Sequence, residues 1–326
     1  MRVLVTGGAG FLGARLARTL LARERLCGDA IERIVLADLA PAPADLRDDP
    51  RVESRTGALV EQCTALRRER FDAVFHLASA VSAECEADFD LGLRSNLDTT
   101  RALLDALRAA GHAPRFVFAS SVAVFGSDPA LPLPPVVRDD TLPTPQSSYG
   151  IHKFVCEQLV ADWTRKGFLD GRSARLMTVT VRPGRPNGAA SSFLSGIVRE
   201  PLAGVQAVCP VDLDTEVAVA SPARTIDGLV AVCEASRDAY GGRTALNLPA
   251  LTVSVRAMLD ALEAEAGAEV RARVRFEPDP AIARIVGGWP ARFESRRAAR
   301  LGLAPDPDFR SIVRQYMADT KAAPLP

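Results

Sequence analysis

Tyr149 and Lys153 stand four residues apart in the run Ser147-Ser148-Tyr149-Gly150-Ile151-His152-Lys153. On a helix that spacing puts both side chains on one face, one turn apart. An ammonium held near a phenol favours the phenolate and lowers its pKa from a reference of about 10. A phenol tuned in that way exchanges a proton with a substrate hydroxyl near neutral pH. Taken alone, the pair also fits an amphipathic helix with a Tyr and a Lys on its surface, so the remainder of the chain must decide.

The N-terminus supplies the other half of a site. Arg2 to Thr6 reads as a short strand, Gly7-Gly8-Ala9-Gly10-Phe11-Leu12-Gly13 as a turn, and Ala14 to Arg23 as a helix. Gly7 lets the chain turn tightly, Gly10 lets backbone approach a pyrophosphate, and Gly13 lets helix and strand pack closely. Free amides at the helix start then face the phosphates, with Phe11 and Leu12 beside them. A second strand, Ile31 to Asp38, ends in a carboxylate 25 positions after Gly13. A carboxylate there accepts both adenosine ribose hydroxyls and repels a 2′-phosphate. Leu39-Ala40-Pro41 follows, with no arginine, which points to NAD and not NADP.

Composition narrows the function classes. The 326 residues carry 40 basic and 40 acidic side chains and are 48% hydrophobic. Zero formal net charge gives no long-range pull toward nucleic acid or an anionic membrane. No apolar run approaches the roughly 20 residues that span a bilayer, and the N-terminus does not read as a signal peptide. Six scattered cysteines form no Cys-x-x-Cys pair, and the three histidines lie far apart, so no metal site is expected. Reduced thiols in a cytoplasmic protein are the expectation.

Further strands are expected at Val52 to Leu59, Asp72 to Leu77, Pro114 to Ser121 and Ala174 to Arg182. Helices are expected at Cys63 to Arg70, Asp90 to Ala110 and Ser148 to Lys166. Asp72 to Leu77 is a near-continuous apolar run, as in a strand covered on both faces. His76 within it reads as packed and not catalytic. The small-residue turn Ala78-Ser79-Ala80 leaves room for a cofactor backbone. Asp128 to Pro145 is too proline-dense for regular structure. Alternation of strand and helix through residue 182 argues a parallel, doubly wound α/β sheet, with ligands at the C-terminal strand ends: Gly7, Asp38, Leu77, Ser121 and Pro183. Residues 1–185 form this nucleotide-binding unit. Residues 186–326 read mainly as a smaller α/β substrate lobe, with segments near 205–250 returning to the sheet. Helices are expected there at Ile197 to Leu202, Thr225 to Ala235 and Ser254 to Ala266, and short strands at Ala245 to Leu248 and Arg271 to Glu277.

These residues, in this order, resemble the extended short-chain dehydrogenase/reductase family, a Rossmann-type group, over nearly the whole chain. The matching stretches are Thr6 to Gly13, Asp38, His-Leu-Ala-Ser from His76, Ser-Ser-Val-Ala-Val-Phe-Gly from Ser120, Tyr149 to Lys153 and Arg182-Pro183-Gly184. The resemblance implies Tyr149 as the proton-transfer group and Lys153 as the cation that tunes it and binds the nicotinamide ribose. It implies Ser121 as the third catalytic position and Asn96 as part of an active-site water path. Where the family usually has Gly-Asp-Leu, this chain has Gly57-Ala58-Leu59, so an adenine contact is lost while the Leu59 backbone remains. Phe125 also replaces the family's usual Tyr. Within the family, stretches such as Val181 to Phe193 and Glu277 to Phe293 resemble the sugar-acid dehydrogenases. That implies NAD-dependent oxidation of a four-carbon sugar acid at C2. The acid must then meet a cation or several polar donors. Ser82, Ser121, Asn187, Ser191 and Ser192 are the expected contacts, with Arg224 and Arg292 as weaker possibilities. A nucleotide-sugar 4-epimerase would share fold, cofactor and Tyr149, and a non-catalytic NAD-binding protein would share the fold alone. A homodimer through the helices Asp90 to Ala110 and Ser148 to Lys166 is expected from the same resemblance.

Overall fold

The computed structural model of the protein describes residues 1–184 and 190–322. Strand β1 (Arg2–Thr6) leads through the glycine turn to helix α1 (Phe11–Arg23). Then come β2 (Arg33–Asp38), β3 (Val52–Thr56), α2 (Leu59–Leu66), β4 (Ala73–His76), α3 (Ser82–Ala87), α4 (Thr99–Ala110), β5 (Arg115–Ser121), α5 (Ser148–Arg165) and β6 (Asp170–Leu176). After β6 the chain continues through β7 (Thr178–Val179), α6 (Ser192–Leu202), β8 (Glu216–Ala220), α7 (Pro222–Glu234), β9 (Leu246–Asn247), β10 (Leu251–Ser254), α8 (Val255–Ala266), α9 (Pro280–Gly287) and α10 (Phe309–Ala322).

Seven strands form one sheet in the order β9-β6-β5-β4-β1-β2-β3. Every neighbouring pair is parallel. Side chains alternate across the sheet, so each strand feeds two cores. Val3, Val5, Ile34, Leu36 and Phe75 pack with α1 and α7 on one face. Leu4, Val35, Val74, Phe116 and Phe118 pack with α2, α4 and α5 on the other. Burial on both faces explains why β1 and β4 are almost wholly apolar. A third core lies in the second half of the chain, where α6, α8 and α10 enclose Val217, Val219 and Val253. There β8 runs parallel to β7 and antiparallel to β10. The chain returns once more to the large sheet, where β9 pairs with β6 at its edge.

The structure moves several expected boundaries. Strand β6 begins at Asp170, not at Ala174, because the guanidinium of Arg172 is buried in it and its two Nη groups donate to the Asp170 carboxylate and the carbonyls of Cys233 and Ala235. The apolar Thr-Val pair that follows belongs to β7 in the small sheet. The third strand stops at Thr56, and Leu59 opens helix α2 in place of a helix beginning at Cys63. The long helix expected over Asp90 to Ala110 is interrupted by a π-helical stretch at Leu93–Asp98, which turns Asn96 inward. Helices α3, α9 and α10 were not anticipated.

Gly13 fixes how closely α1 sits on the turn. A Cβ there would lie 2.0 Å from the Gly7 carbonyl oxygen. Gly13→Ala therefore lowers unfolding stability by about 3 kcal/mol, the upper part of the usual overpacking range. Gly287→Ala, where a Cβ meets nothing within 4 Å, stays within about 1 kcal/mol of the parent chain. Denaturant titration of the two variants checks the contrast.

Candidate active site

Four strand ends and the start of α5 meet around a cavity of about 1920 Å³. At one end lie Gly7, Gly10, Phe11, Leu12 and Gly13. Asp38 closes β2, and its carboxylate accepts the Ala9 amide at 3.0 Å and the Ala40 amide at 3.3 Å. It is thus held against the glycine turn. Leu39, Ala58, Leu59 and Val60 line the same end, followed by Leu77, Ala78 and Ser79.

At the other end, Ser121 finishes β5 and Tyr149 opens α5. Ser147 caps this helix by accepting the Gly150 amide at 3.1 Å, and Glu86 accepts the Ser148 amide at 2.8 Å. The Ser121 hydroxyl is hydrogen-bonded to the Tyr149 phenol. It also accepts the Ala123 amide at 3.1 Å. Lys153 lies one turn further along, fully inside. Its Nζ donates to the Ala119 carbonyl at 3.0 Å and sits 5.5 Å from the Tyr149 ring centre. One more turn on, Glu157 accepts the Ser120 hydroxyl and is gripped by Arg175 at 2.7 Å and 2.9 Å. Spacing by four residues thus sets Tyr149, Lys153 and Glu157 in a row facing β5.

The electrostatics differ from the sequence-based reading of an ammonium acidifying a phenol. Burial in the cavity wall pushes the Tyr149 phenol up to about 12, and the Ser121 hydrogen bond and the charge of Arg182 oppose that rise. Burial pulls Lys153 down to about 8, against the raising effect of Cys156, Cys85 and Glu157. The cation whose charge lowers the phenol pKa is Arg182, on the substrate side. His76 is held neutral, lowered to about 3 by burial and by Lys153. Its ring nitrogens meet Thr6 Oγ1 at 2.6 Å and Thr100 Oγ1 at 2.9 Å.

Ser82, Ser121, Ser191 and Ser192 all line the cavity, whereas Pro183 and Asn96 do not. Asn187 lies outside the described residues. Asn96 is buried, and its Oδ1 accepts the Ala80 amide at 2.7 Å and the Ser79 hydroxyl at 2.9 Å. Its amide group donates to the Ala80 carbonyl and the Cys85 thiol, both at 3.2 Å. It therefore holds the turn at residues 78–80 in place. Arg224 faces a separate small cavity. Arg292 is tied to Glu216 at 2.8 Å on the surface. Neither reaches the main cavity. Sequence reasoning passed over Arg182, Gln206 and the α9 segment with Ile282, Ile285 and Trp289, all of which line it. For Arg182 a signal existed, because it follows a strand on the same side of the fold as the glycine turn.

A dinucleotide cradle opening onto a Ser, Tyr and Lys set defines an oxidoreductase-type site working at a carbon that bears a hydroxyl or carbonyl group. The chain belongs to the NAD dependent epimerase/dehydratase family, whose model matches residues 3–216. It is 49% identical to a D-erythronate dehydrogenase of Cupriavidus necator, over 99% of this chain and 100% of that protein. It is 39% identical to a D-erythronate dehydrogenase of Haemophilus influenzae, over 97% of this chain and 99% of that protein. A crystal structure described as a nucleoside-diphosphate-sugar epimerase from Agrobacterium tumefaciens superposes with a TM-score of 0.91 at 38% identity, covering 100% of this chain and 96% of that one. L-threonine 3-dehydrogenase from Trypanosoma brucei, with a TM-score of 0.83 at 22% identity, shares the fold.

NAD is the cofactor, and the cradle fits it. A Cβ on Gly7 would strike the Ala78 amide nitrogen at 2.8 Å, so only bare backbone stands between the first turn and β4. Asp38 stands at the strand end where a ribose diol is read.

Lys153 yields a pH signature. Its charged form is disfavoured in the folded chain, so the unfolded chain binds the extra proton between pH 8 and the ordinary lysine value. This contribution to stability is present above the unfolded pKa and is lost as pH falls through about 8. Lys153→Met removes that burden. The variant is more stable than the parent at pH 7, and the difference shrinks as pH rises toward about 10. Denaturant midpoints across that range check it.

Proposed function

We propose that this chain oxidises D-erythronate at C2 to 2-oxo-D-erythronate with reduction of NAD. The observation that carries the proposal is the full-length likeness to two D-erythronate dehydrogenases. It is joined to a Ser121–Tyr149 hydrogen bond at the mouth of a dinucleotide cradle.

Bound NAD supplies a hydride acceptor for the C2 hydrogen. The chain's own residues do the remainder. Ser121 holds the C2 oxygen, and Tyr149 takes the hydroxyl proton as the carbonyl forms. Lys153 lies behind Tyr149, with its charge available to the phenolate and to the nicotinamide ribose. Gly7, Gly10, Phe11, Leu12, Gly13 and the 77–79 turn hold the pyrophosphate side, Asp38 the adenosine ribose and Leu59 the adenine edge. Asn96 acts by fixing the 78–80 turn, whereas Pro183 stands outside the cavity and β7 ends before it, at Val179. Ser82, Ser191 and Ser192 are placed to meet the acid's outer hydroxyls. The first 185 residues serve as the cofactor unit and the later ones mainly as the substrate lobe.

A nucleotide-sugar 4-epimerase is the second reading, favoured by the likeness to the Agrobacterium tumefaciens nucleoside-diphosphate-sugar epimerase structure. An epimerase recycles its cofactor, whereas a dehydrogenase accumulates NADH. Tyr149→Phe lowers kcat on D-erythronate by at least about 100-fold while NAD binding persists. Near-ultraviolet absorbance and a separate NAD titration measure the two effects. Undiminished turnover would refute the assignment.

The protein is further proposed to be a cytoplasmic homodimer. Support for the compartment is the set of six unpaired thiols and the use of NAD. Among the described residues no helix is long and apolar enough to cross a membrane. Support for the dimer is the exposed apolar row Ile151 and Val155 on α5, with Phe89 nearby. Ile151→Asp combined with Val155→Asp converts the dimer to monomer in sedimentation velocity runs. A wild-type chain that sediments as monomer at micromolar concentration contradicts this.

A further inference from the structure

We propose that Arg182 is the carboxylate anchor of this site and selects acids whose charge lies on the carbon next to the one oxidised. The inference rests on the sugar-acid reading above and adds the residue that enforces it.

Three cations line the main cavity among the described residues: Lys153, Arg182 and Arg284. Lys153 is engaged with the Ala119 carbonyl behind the tyrosine. Arg284 is exposed on α9 at the outer rim. Arg182 is half-buried, and its charge acts on Tyr149 as the phenol's acts on it. In a 2-hydroxy acid the carboxylate is bonded to the reacting carbon. Once the C2 hydroxyl meets Ser121 and Tyr149, the carboxylate must lie one bond away. The cation that reaches the phenol is therefore the one placed to meet it.

The surroundings leave that charge available. Arg182 Nη2 donates to the Ser191 hydroxyl at 3.3 Å, a neutral acceptor. Among the described residues no carboxylate forms an ion pair with it. The nearby Arg199 is already matched by Glu200 at 2.6 Å. Burial and the charge of Arg199 both press against the protonated guanidinium. A half-buried cation without a counter-ion carries a desolvation penalty that an anionic ligand offsets. Its backbone is also held in place. Its amide donates to Ser195 Oγ at 3.0 Å, and its carbonyl accepts Arg199 Nη1 at 2.8 Å. Both partners come from α6, which packs in the core of the second lobe. The planar guanidinium fork matches a carboxylate through two parallel hydrogen bonds. A nucleotide sugar oxidised at C4 offers no anion at the adjacent carbon, so the same fork disfavours it.

The test compares D-erythronate with D-erythronamide, which has the same skeleton without the charge. The parent enzyme prefers the acid by roughly 100-fold in kcat/KM. Arg182→Met brings that ratio to near one, chiefly through KM for the acid. Arg182→Lys keeps a charge without the fork and falls between. General damage to the site would lower both substrates together and leave the ratio intact. Calorimetric titration of D-erythronate into the enzyme–NADH complex weakens by a similar factor in Arg182→Met, while NADH binding holds. An unchanged substrate ratio in Arg182→Met overturns the inference. If that variant does not fold, an unchanged ratio in Arg182→Lys does the same. A parent enzyme that oxidises acid and amide equally removes the anchor but keeps the dehydrogenase reading. One that oxidises neither removes both.

Discussion

Everything at the reacting end of the cavity depends on one close approach. A Cβ on Gly150 would lie 2.1 Å from the Ala123 carbonyl oxygen, so no side chain fits between the first turn of α5 and the chain leaving β5. Only glycine lets the helix press that near. The contact brings Tyr149, the residue before, onto Ser121, two residues before Ala123. The sequence places these groups 28 positions apart, and the packed glycine makes them hydrogen-bond partners. Ser147 at the helix cap and Glu86 on α3 fix the same turn from the other side.

Beneath that contact the chain stores its charge in a dry row. Lys153 hangs from a strand carbonyl, and the Glu157–Arg175 pair ties α5 to β6 and, through Asn247, to β9. Arg175 and Glu157 are both nearly inaccessible. Removal of either alone strands a buried charge, which gives the pair more weight as a positioning device than as net stabilisation. The result is a phenol with a lysine behind it and an arginine in front. Burial alone would make Tyr149 a poor base. The charge of Arg182 and the Ser121 hydrogen bond counter it, and a substrate anion drawn to Arg182 would sit at the reacting carbon.

Much of the nucleotide half was legible in the residues themselves. Glycine spacing, the acidic end of β2 and the apolar strands are local signals, and each follows from backbone sterics or a single burial rule. Tyr149 and Lys153 were legible because four-residue spacing survives into any helix. What could not be read depends on contacts distant in sequence. The pKa of Tyr149 is set by burial, which spacing does not reveal. The charged start of β6 looked unlike a strand until Arg172 found carbonyls at the end of α7. The inward turn of Asn96 depends on a π-helical stretch that no periodicity announces. Arg182 was visible as a strand-end residue, but its backbone is held by Ser195 and Arg199 on α6. Helix α10 carries too many polar residues to read as the core element it becomes.

The central claim is that hydrogen leaves C2 of the acid as hydride while Tyr149 takes the proton. D-erythronate carrying deuterium at C2, incubated with NAD and the purified enzyme, tests it most directly. The account predicts one equivalent of NADH per acid consumed, with the deuterium in the reduced nicotinamide and none released to water. Deuterium that stays in the acid without NADH, or that exchanges into solvent, would contradict it.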